Sequence, residues 1–168
     1  NPVTSMMAME GIRGLSSALP DIVKTPDNLD ARSKALYGSW LCGSVLGMVS
    51  MALHHKLCHT IGGSFDMPHA ETHSVLLPHT TAYTEQAAPE LLKPVADLFG
   101  KPSAGVGLFD FAASLGAPLS LSSLGFSETN IEEAAELALV NTYYNPRPIE
   151  LDGIETLIRT AWEGTRPL

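Results

Sequence analysis

The chain contains six histidines, and all of them fall between residues 54 and 79: His54, His55, His59, His69, His73 and His79. Neutral imidazole is the commonest nitrogen ligand of zinc, iron, copper and nickel, and it carries protons near neutral pH. Residues four apart share one face of a helix, so His55 pairs with His59 and His69 pairs with His73. The spacing therefore predicts a site for metal binding or proton transfer.

Three of these residues are the candidates for chemistry: His55, His59 and His69. The other three are expected to be packed or solvated, as is usual for a histidine in a helix: His54, His73 and His79. Two carboxylates lie nearby, but Asp66 is better placed as a helix cap, and Glu71 does not clearly complete a metal shell. A full metal site would need ligands from outside this stretch.

Other chemistries find less support. The chain has no Gly-x-Ser-x-Gly elbow, and Cys58 is too close to His59 along a helix to form a nucleophile pair. Gly105 and Gly107 lack the third glycine and the preceding strand of a phosphate-binding loop. Serine hydrolysis and nucleotide binding by this chain are therefore not expected.

The composition describes an ordinary soluble, well-cored chain, with 45% hydrophobic and 17% charged residues. A net charge of −8 argues against nucleic acid as a partner. The apolar run from Tyr37 to Leu53 is too short to span a membrane, so we expect a buried core helix and no membrane partner. Two cysteines in apolar surroundings predict reduced thiols and a cytoplasmic protein.

Helical patterns dominate the sequence, and the predicted fold class is all-α, a multi-helix bundle forming a single domain over residues 1–168. The first helix is expected from Pro2 to Leu19, ended by Pro20, and a long second helix from Leu29 to about His59. Gly43 and Gly47 in the second helix predict a close approach of another backbone.

The Gly62-Gly63 pair is expected to break the pattern, and a third helix is expected from His69 to about Tyr83, with a kink or break at Pro78. The remaining predicted helices cover Pro89–Phe99, Ser103–Leu115, Thr129–Val140 and Leu151–Trp162. The apolar segment from Ala117 to Phe126 is expected to form a loop.

His55 and His59 are separated by three residues, and His59 and His69 by nine, the last of which is Pro68. This order of residues resembles the signature of the iron-containing alcohol dehydrogenase superfamily. Further segments resemble its maleylacetate reductase branch: Asn1–Ser5 with Glu10–Arg13, Phe65–His73, and Asn145–Ile149. The resemblance spans essentially the whole chain. It implies the all-helical, dehydroquinate synthase-like C-terminal domain of that superfamily.

The resemblance also implies a two-domain enzyme whose nucleotide-binding N-terminal domain is absent from this chain, which we therefore expect to be a fragment without activity of its own. NADH or NADPH would be the cofactor. His55 and His69 match metal-ligand positions for Fe2+ or Zn2+, and His59 matches a histidine that relays a proton. The other two ligands would lie upstream of Asn1, and metal dependence is left open. A homodimer is expected.

The reaction implied is reduction of the conjugated double bond of maleylacetate to 3-oxoadipate, late in the breakdown of aromatic compounds. Its substrate is a small dicarboxylate, for which Arg147 is the candidate binding residue. An alternative is a metal-dependent alcohol dehydrogenase of the same superfamily that acts on a carbonyl and alcohol pair. A helical metal-binding or interaction module without enzymatic activity is a second alternative.

Overall fold

The computed structural model describes residues 1–168 and contains eight α-helices and no strand, which confirms the all-α fold class. Two short 3-10 turns cover Ser122–Leu124 and Glu128–Asn130. The helices, in chain order, are α1 (Pro2–Lys24), α2 (Leu29–Met48), α3 (Leu53–Ser64), α4 (His69–Glu85), α5 (Pro89–Phe99), α6 (Ala104–Ser114), α7 (Ile131–Leu139) and α8 (Leu151–Glu163).

The chain divides into two compact units. Asn1–Ser50 forms the first, with α1 and α2, and Met51–Leu168 forms the second, with α3 to α8. Compact units of this kind can belong to one domain, so the expectation of a single domain stays a prediction. All six histidines belong to the second unit.

The start of α1 is set as the sequence predicts, because the Asn1 side chain accepts hydrogen bonds from the backbone amides of Val3 and Thr4. The predicted end is wrong. Pro20 lies inside the helix, which continues to Lys24. Proline removes a single hydrogen bond there, and the remaining turn closes normally when the Thr25 amide donates to the Asp21 carbonyl.

Helices α1 and α2 approach each other closely at glycines. A Cβ atom at Gly38 would lie 2.8 Å from the Gly11 carbonyl oxygen, so neither helix can carry a larger side chain there without moving. The predicted close approach at Gly43 and Gly47 is not made by α1: apart from chain neighbours and the backbone of α2 itself, a Cβ built at either position has no atom within 4 Å.

The predicted long second helix is in fact two helices. α2 ends at Met48, residues 49–52 are extended or irregular, and α3 begins at Leu53. Gly47 and the β-branched Val49 are poor helix formers, which weakens the helical pattern at this point.

None of the eight helices has by itself the length and apolar composition of a membrane span. Only α2 and α3, taken together as a bent pair, match a span in length and composition.

The Gly62-Gly63 pair does not end α3 as predicted, since the helix runs to Ser64. Its apolar face, which includes Leu57 and Ile61, is completely buried, and tertiary packing of this kind holds a helix that glycines would weaken. α4 begins at His69 as predicted and passes through the buried Pro78 without ending.

The core of the second unit joins α3, α4, α7, α8 and the loop before α7. Its largest fully buried side chains are Leu53, Leu57, Ile61, Leu76, Leu121, Ile131, Ile154 and Ile158. α5 has its predicted bounds, and α6, α7 and α8 begin or end within two residues of theirs. The Ala117–Phe126 segment is a loop as predicted, and the Trp162 indole N–H donates to its Phe126 carbonyl at 2.8 Å.

Gly105 in α6 provides a test of this packing. A Cβ at Gly105 would lie 2.6 Å from the Ala82 Cβ and 2.8 Å from the Pro78 carbonyl oxygen of α4. We expect Gly105→Ala to lower the free energy of unfolding by about 2 kcal/mol, measured by urea denaturation, because two packed backbones must separate.

Gly43→Ala is the control, since a Cβ at Gly43 meets open space. The same substitution should there raise the free energy of unfolding by up to about 1 kcal/mol, through helix propensity. Equal effects of the two substitutions would contradict the described packing of α4 against α6.

Candidate active site

Five of the six histidine rings lie together, and we call them the histidine cluster: His54, His55, His59, His69 and His73. The ring centroids of His55 and His59 are 5.9 Å apart, and those of His55 and His73 are 5.3 Å apart. His73 lies 4.4 Å from His69. The structure thus brings the three predicted residues His55, His59 and His69 into one cluster, while their chemical roles stay predictions.

Helix geometry explains the cluster. α3 carries His55 and His59 four residues apart, and α4 carries His69 and His73 with the same spacing, so each pair lies on one face of its helix. The buried faces of the two helices pack in a common core. His59 and His69 are exposed, whereas the other three rings are partly buried.

A hydrogen-bonded layer lies beneath the exposed rings. The His54 Nε2 atom is 3.1 Å from the His73 Nδ1 atom, and the His54 Nδ1 atom is 3.1 Å from the Thr80 hydroxyl. The Cys58 sulfur lies 3.7 Å from the His54 Nε2 atom. His54 and His73 were expected to be packed or solvated, although the spacing of four between His69 and His73 was a signal that His73 lies near the site.

Burial keeps the three partly buried rings of the cluster neutral: His54, His55 and His73. It lowers the pKa of His54 to about 3, with smaller contributions from His73 and His55. Burial, followed by the nearby His69, lowers the pKa of His73 to about 4, and burial also lowers the pKa of His55. A neutral imidazole has one bare nitrogen, so these rings can accept a hydrogen bond or bind a cation at pH 7.

The side chains of the histidine cluster could supply some, but not all, of the ligands of a metal ion. His55 and His69 supply imidazoles, but no carboxylate completes them. Asp66 does not cap α4 as predicted: its φ is +51°, it is exposed, and Pro68 occupies the position before the helix. The one trio of ligand atoms within 4.8 Å of each other belongs to His54, Cys58 and His73. Burial raises the pKa of the Cys58 thiol to about 12, so this thiol is protonated.

Arg147 lies outside the histidine cluster. Its guanidinium carbon is 3.8 Å from the centre of the Tyr83 ring, and the Tyr83 hydroxyl donates to the Pro148 carbonyl at 2.6 Å. Tyr83 follows His73 by ten residues in α4, a rise of about 15 Å. Arg147 lines a separate cavity of about 560 Å³ with Tyr83, Thr156 and Arg166. This geometry favours a structural role, and substrate binding by Arg147 stays a prediction.

Residues 1–162 match the family model described as Fe-containing alcohol dehydrogenase family, C-terminal. The chain belongs to this family. The maleylacetate reductase of Rhizobium sp. (strain MTP-10005) is 57% identical to it over 99% of the chain, and that of Burkholderia cepacia is 52% identical over the same share. In both cases the match covers 47% of the relative, so the chain spans about half the length of these relatives.

Solved structures of the Fe-containing alcohol dehydrogenase family share the fold. Maleylacetate reductase from Agrobacterium tumefaciens is 59% identical with a TM-score of 0.97, covering 99% of this chain and 47% of that one. A 1,3-propanediol oxidoreductase is 32% identical with a TM-score of 0.88, covering 96% of this chain and 46% of that one. The family resemblance and the helical C-terminal fold are therefore confirmed.

The remaining histidine, His79, allows a test of the electrostatics away from the cluster. It is buried against Phe109, with ring centroids 6.1 Å apart, and burial lowers its pKa from 6.5 to about 4. Between those values the unfolded chain binds a proton that native His79 does not, so stability must fall as the pH falls. Going from pH 7 to pH 5 should cost about 2 kcal/mol through this residue.

His79→Leu, which cannot titrate, should lose about 2 kcal/mol less than the unsubstituted chain over the same pH range. Urea denaturation at pH 7 and pH 5 measures both differences. An identical loss in the two proteins would show that His79 takes up its proton as readily in the folded chain as in the unfolded one.

Proposed function

We propose that the whole protein is an NAD(P)H-dependent maleylacetate reductase, which reduces maleylacetate to 3-oxoadipate, and that this chain is its helical half. The observation that carries the proposal is identity of 45–57% over at least 99% of the chain with eight relatives named maleylacetate reductase. The histidine cluster supplies side chains suited to the chemistry.

The alternative is a metal-dependent dehydrogenase that acts on an alcohol and carbonyl pair. The iron-containing alcohol dehydrogenase from Corynebacterium glutamicum supports it with a TM-score of 0.93, but at a lower identity of 38%. The reductase is therefore favoured. Both reactions would use the same histidines, and the site of hydride addition distinguishes them: an alkene carbon in one and a carbonyl carbon in the other.

Reduction of maleylacetate makes three demands on the protein. The alkene must be held against the hydride donor, negative charge that develops on the conjugated ketone oxygen must be stabilised, and a proton must reach the adjacent carbon. Reduced nicotinamide, bound to a nucleotide-binding domain outside this chain, would supply the hydride. The histidine cluster serves the other two demands.

We assign the stabilisation of negative charge on the ketone oxygen to His55 and His69. The lowered pKa of His55 makes its ring neutral at pH 7, so it can stabilise the oxygen through a ring N–H or hold a cation through a bare nitrogen. If Fe2+ or Zn2+ is present, these two residues would hold it, and the ion would polarise the ketone. This chain supplies no carboxylate ligand, so the remaining ligands would come from the other domain.

We assign proton delivery to His59. Its ring is exposed, free of hydrogen bonds to the buried layer, and 5.9 Å from the His55 ring centroid. A solvent-exposed imidazole can exchange its proton with water between turnovers, which the buried His54 cannot do as readily. A homodimeric state, a cytoplasmic location and a role in the breakdown of aromatic compounds remain predictions of the sequence.

The first test uses the intact protein with its nucleotide-binding domain and follows the loss of reduced nicotinamide absorbance with maleylacetate. His55→Ala and His69→Ala should each lower kcat by about 100-fold or more, because each removes a group that contacts the reacting oxygen. His79→Leu, on α4 but outside the cluster, should keep kcat within about twofold of the parent protein. Equal kcat values for all three would refute the assignment.

Metal removal provides a separate test. The intact protein is assayed before and after treatment with a chelator, with its metal content measured alongside. Activity that is lost and then restored by Fe2+ or Zn2+ would place His55 and His69 in a metal shell. Activity that survives complete metal removal would mean that the imidazoles themselves stabilise the oxygen. Reduction of simple aldehydes in preference to maleylacetate would favour the alternative function.

A further inference from the structure

His73 has an unusual position within the histidine cluster. Its Nδ1 atom is 3.1 Å from the His54 Nε2 atom, and its Nε2 atom is buried without a hydrogen-bond partner. The His73 ring is also the one that contacts His54, His55 and His69 alike, with centroid distances of 4.9, 5.3 and 4.4 Å. The tautomer of this ring therefore decides whether the cluster contains a buried acceptor or a buried donor.

Thr80 determines which ring nitrogen of His54 carries the proton. Its hydroxyl is within 3.0 Å of the Leu76 carbonyl oxygen and 3.1 Å of the Leu77 carbonyl oxygen, and both carbonyls can only accept. The single hydroxyl proton is directed to them, so the Thr80 oxygen accepts from His54 Nδ1. His54 then carries its proton on Nδ1, and its Nε2 atom is bare.

The tautomer of His73 follows from the tautomer of His54. A bare His54 Nε2 atom must accept from His73 Nδ1, which leaves the His73 Nε2 atom with a free lone pair. The opposite arrangement would place an N–H on that buried, partnerless nitrogen. An orphaned buried N–H is rarer in proteins than an under-satisfied acceptor, so the energetics favour the same tautomer.

We propose that Thr80, His54 and His73 form a hydrogen-bonded relay that holds His73 as the Nδ1–H tautomer and keeps its Nε2 atom a bare acceptor beside the ring of His69. His69 is exposed at the first position of α4, and the His73 ring is the one it packs against most closely. His73 is thus a positioning residue: a rotation of the exposed His69 ring would bring one of its N–H groups to this acceptor and direct the other His69 nitrogen to the site.

The relay is tested directly by nuclear magnetic resonance. The chain is labelled with 15N-histidine, and long-range proton-nitrogen correlations at pH 7.5 show which ring nitrogen carries the proton. We expect His54 and His73 to be Nδ1–H tautomers, opposite to the Nε2–H form that dominates in free histidine. A His73 ring protonated on Nε2 in the unsubstituted chain would overturn the proposal.

Thr80 can be changed without touching either ring. Thr80→Val removes the hydroxyl and keeps the shape of the side chain, so His54 and His73 should lose their fixed tautomers, whereas Thr80→Ser keeps the hydroxyl and should preserve them. A Thr80→Val chain with unchanged tautomers would overturn the role of Thr80. If this variant does not fold, as judged by circular dichroism, the unsubstituted and Thr80→Ser chains decide.

The positioning role rests on the proposed function and is tested in the intact protein. Thr80→Val should lower kcat for maleylacetate about 10-fold with KM changed by less than about twofold, and Thr80→Ser should restore most of kcat. Thr84→Val is the control, because Thr84 is one turn further along α4 and its hydroxyl lies 3.4 Å from the Asn145 side chain.

Equal kcat for Thr80→Val and the parent protein would refute the positioning role while leaving the reductase assignment intact. A parent protein that does not reduce maleylacetate would instead refute the proposed function. The tautomers measured in the chain would still decide whether the relay exists, so the two failures are distinguishable.

Discussion

The packing of α3 against α4 is the constraint on which the candidate site depends. Leu57 and Ile61 of α3 and Val75 and Leu76 of α4 are at most 1% exposed and belong to one core. Burial of such side chains contributes about 1.5–3 kcal/mol each. Because this packing fixes the rotation of both helices, the histidine pairs of α3 and α4 come together in space.

The same packing divides the cluster into two layers with different chemistry. The rings of His54 and His73 are partly buried, and this burial lowers the pKa of both far below that of a free imidazole. Five protonated rings at these distances would repel one another strongly, so neutrality of the inner layer makes the cluster stable. The outer rings, His59 and His69, keep access to solvent and to ligands.

Local signals in the sequence were sufficient for much of the fold. Asn1 and Pro2 determine the start of α1, and Pro89 begins α5, because capping depends on residues close in the chain. The ends of helices near Pro20, Met48 and Gly63 were not predictable in this way. They depend on which faces are buried by distant segments, and a periodic pattern does not contain that information.

The candidate site was predictable to a similar degree. Helical spacing identified the pairing of His55 with His59, but the role proposed for His73 depends on a hydrogen bond to His54, which lies on another helix. Arg147 looked suitable for a dicarboxylate by charge alone, and its contact with Tyr83 could only come from the three-dimensional structure. A spacing rule identifies residues that can meet, and the tertiary contacts decide which ones do.

We expect the histidine cluster to face the reacting molecules, and footprinting of histidines tests this most directly. The intact protein is treated with diethylpyrocarbonate, alone and with reduced nicotinamide and 3-oxoadipate, and each modified histidine is located by mass spectrometry. We expect the exposed His59 and His69 to be modified in the free protein and protected in the ternary mixture, with His79 unmodified in both. Modification of His59 and His69 to the same extent in both samples would contradict the account.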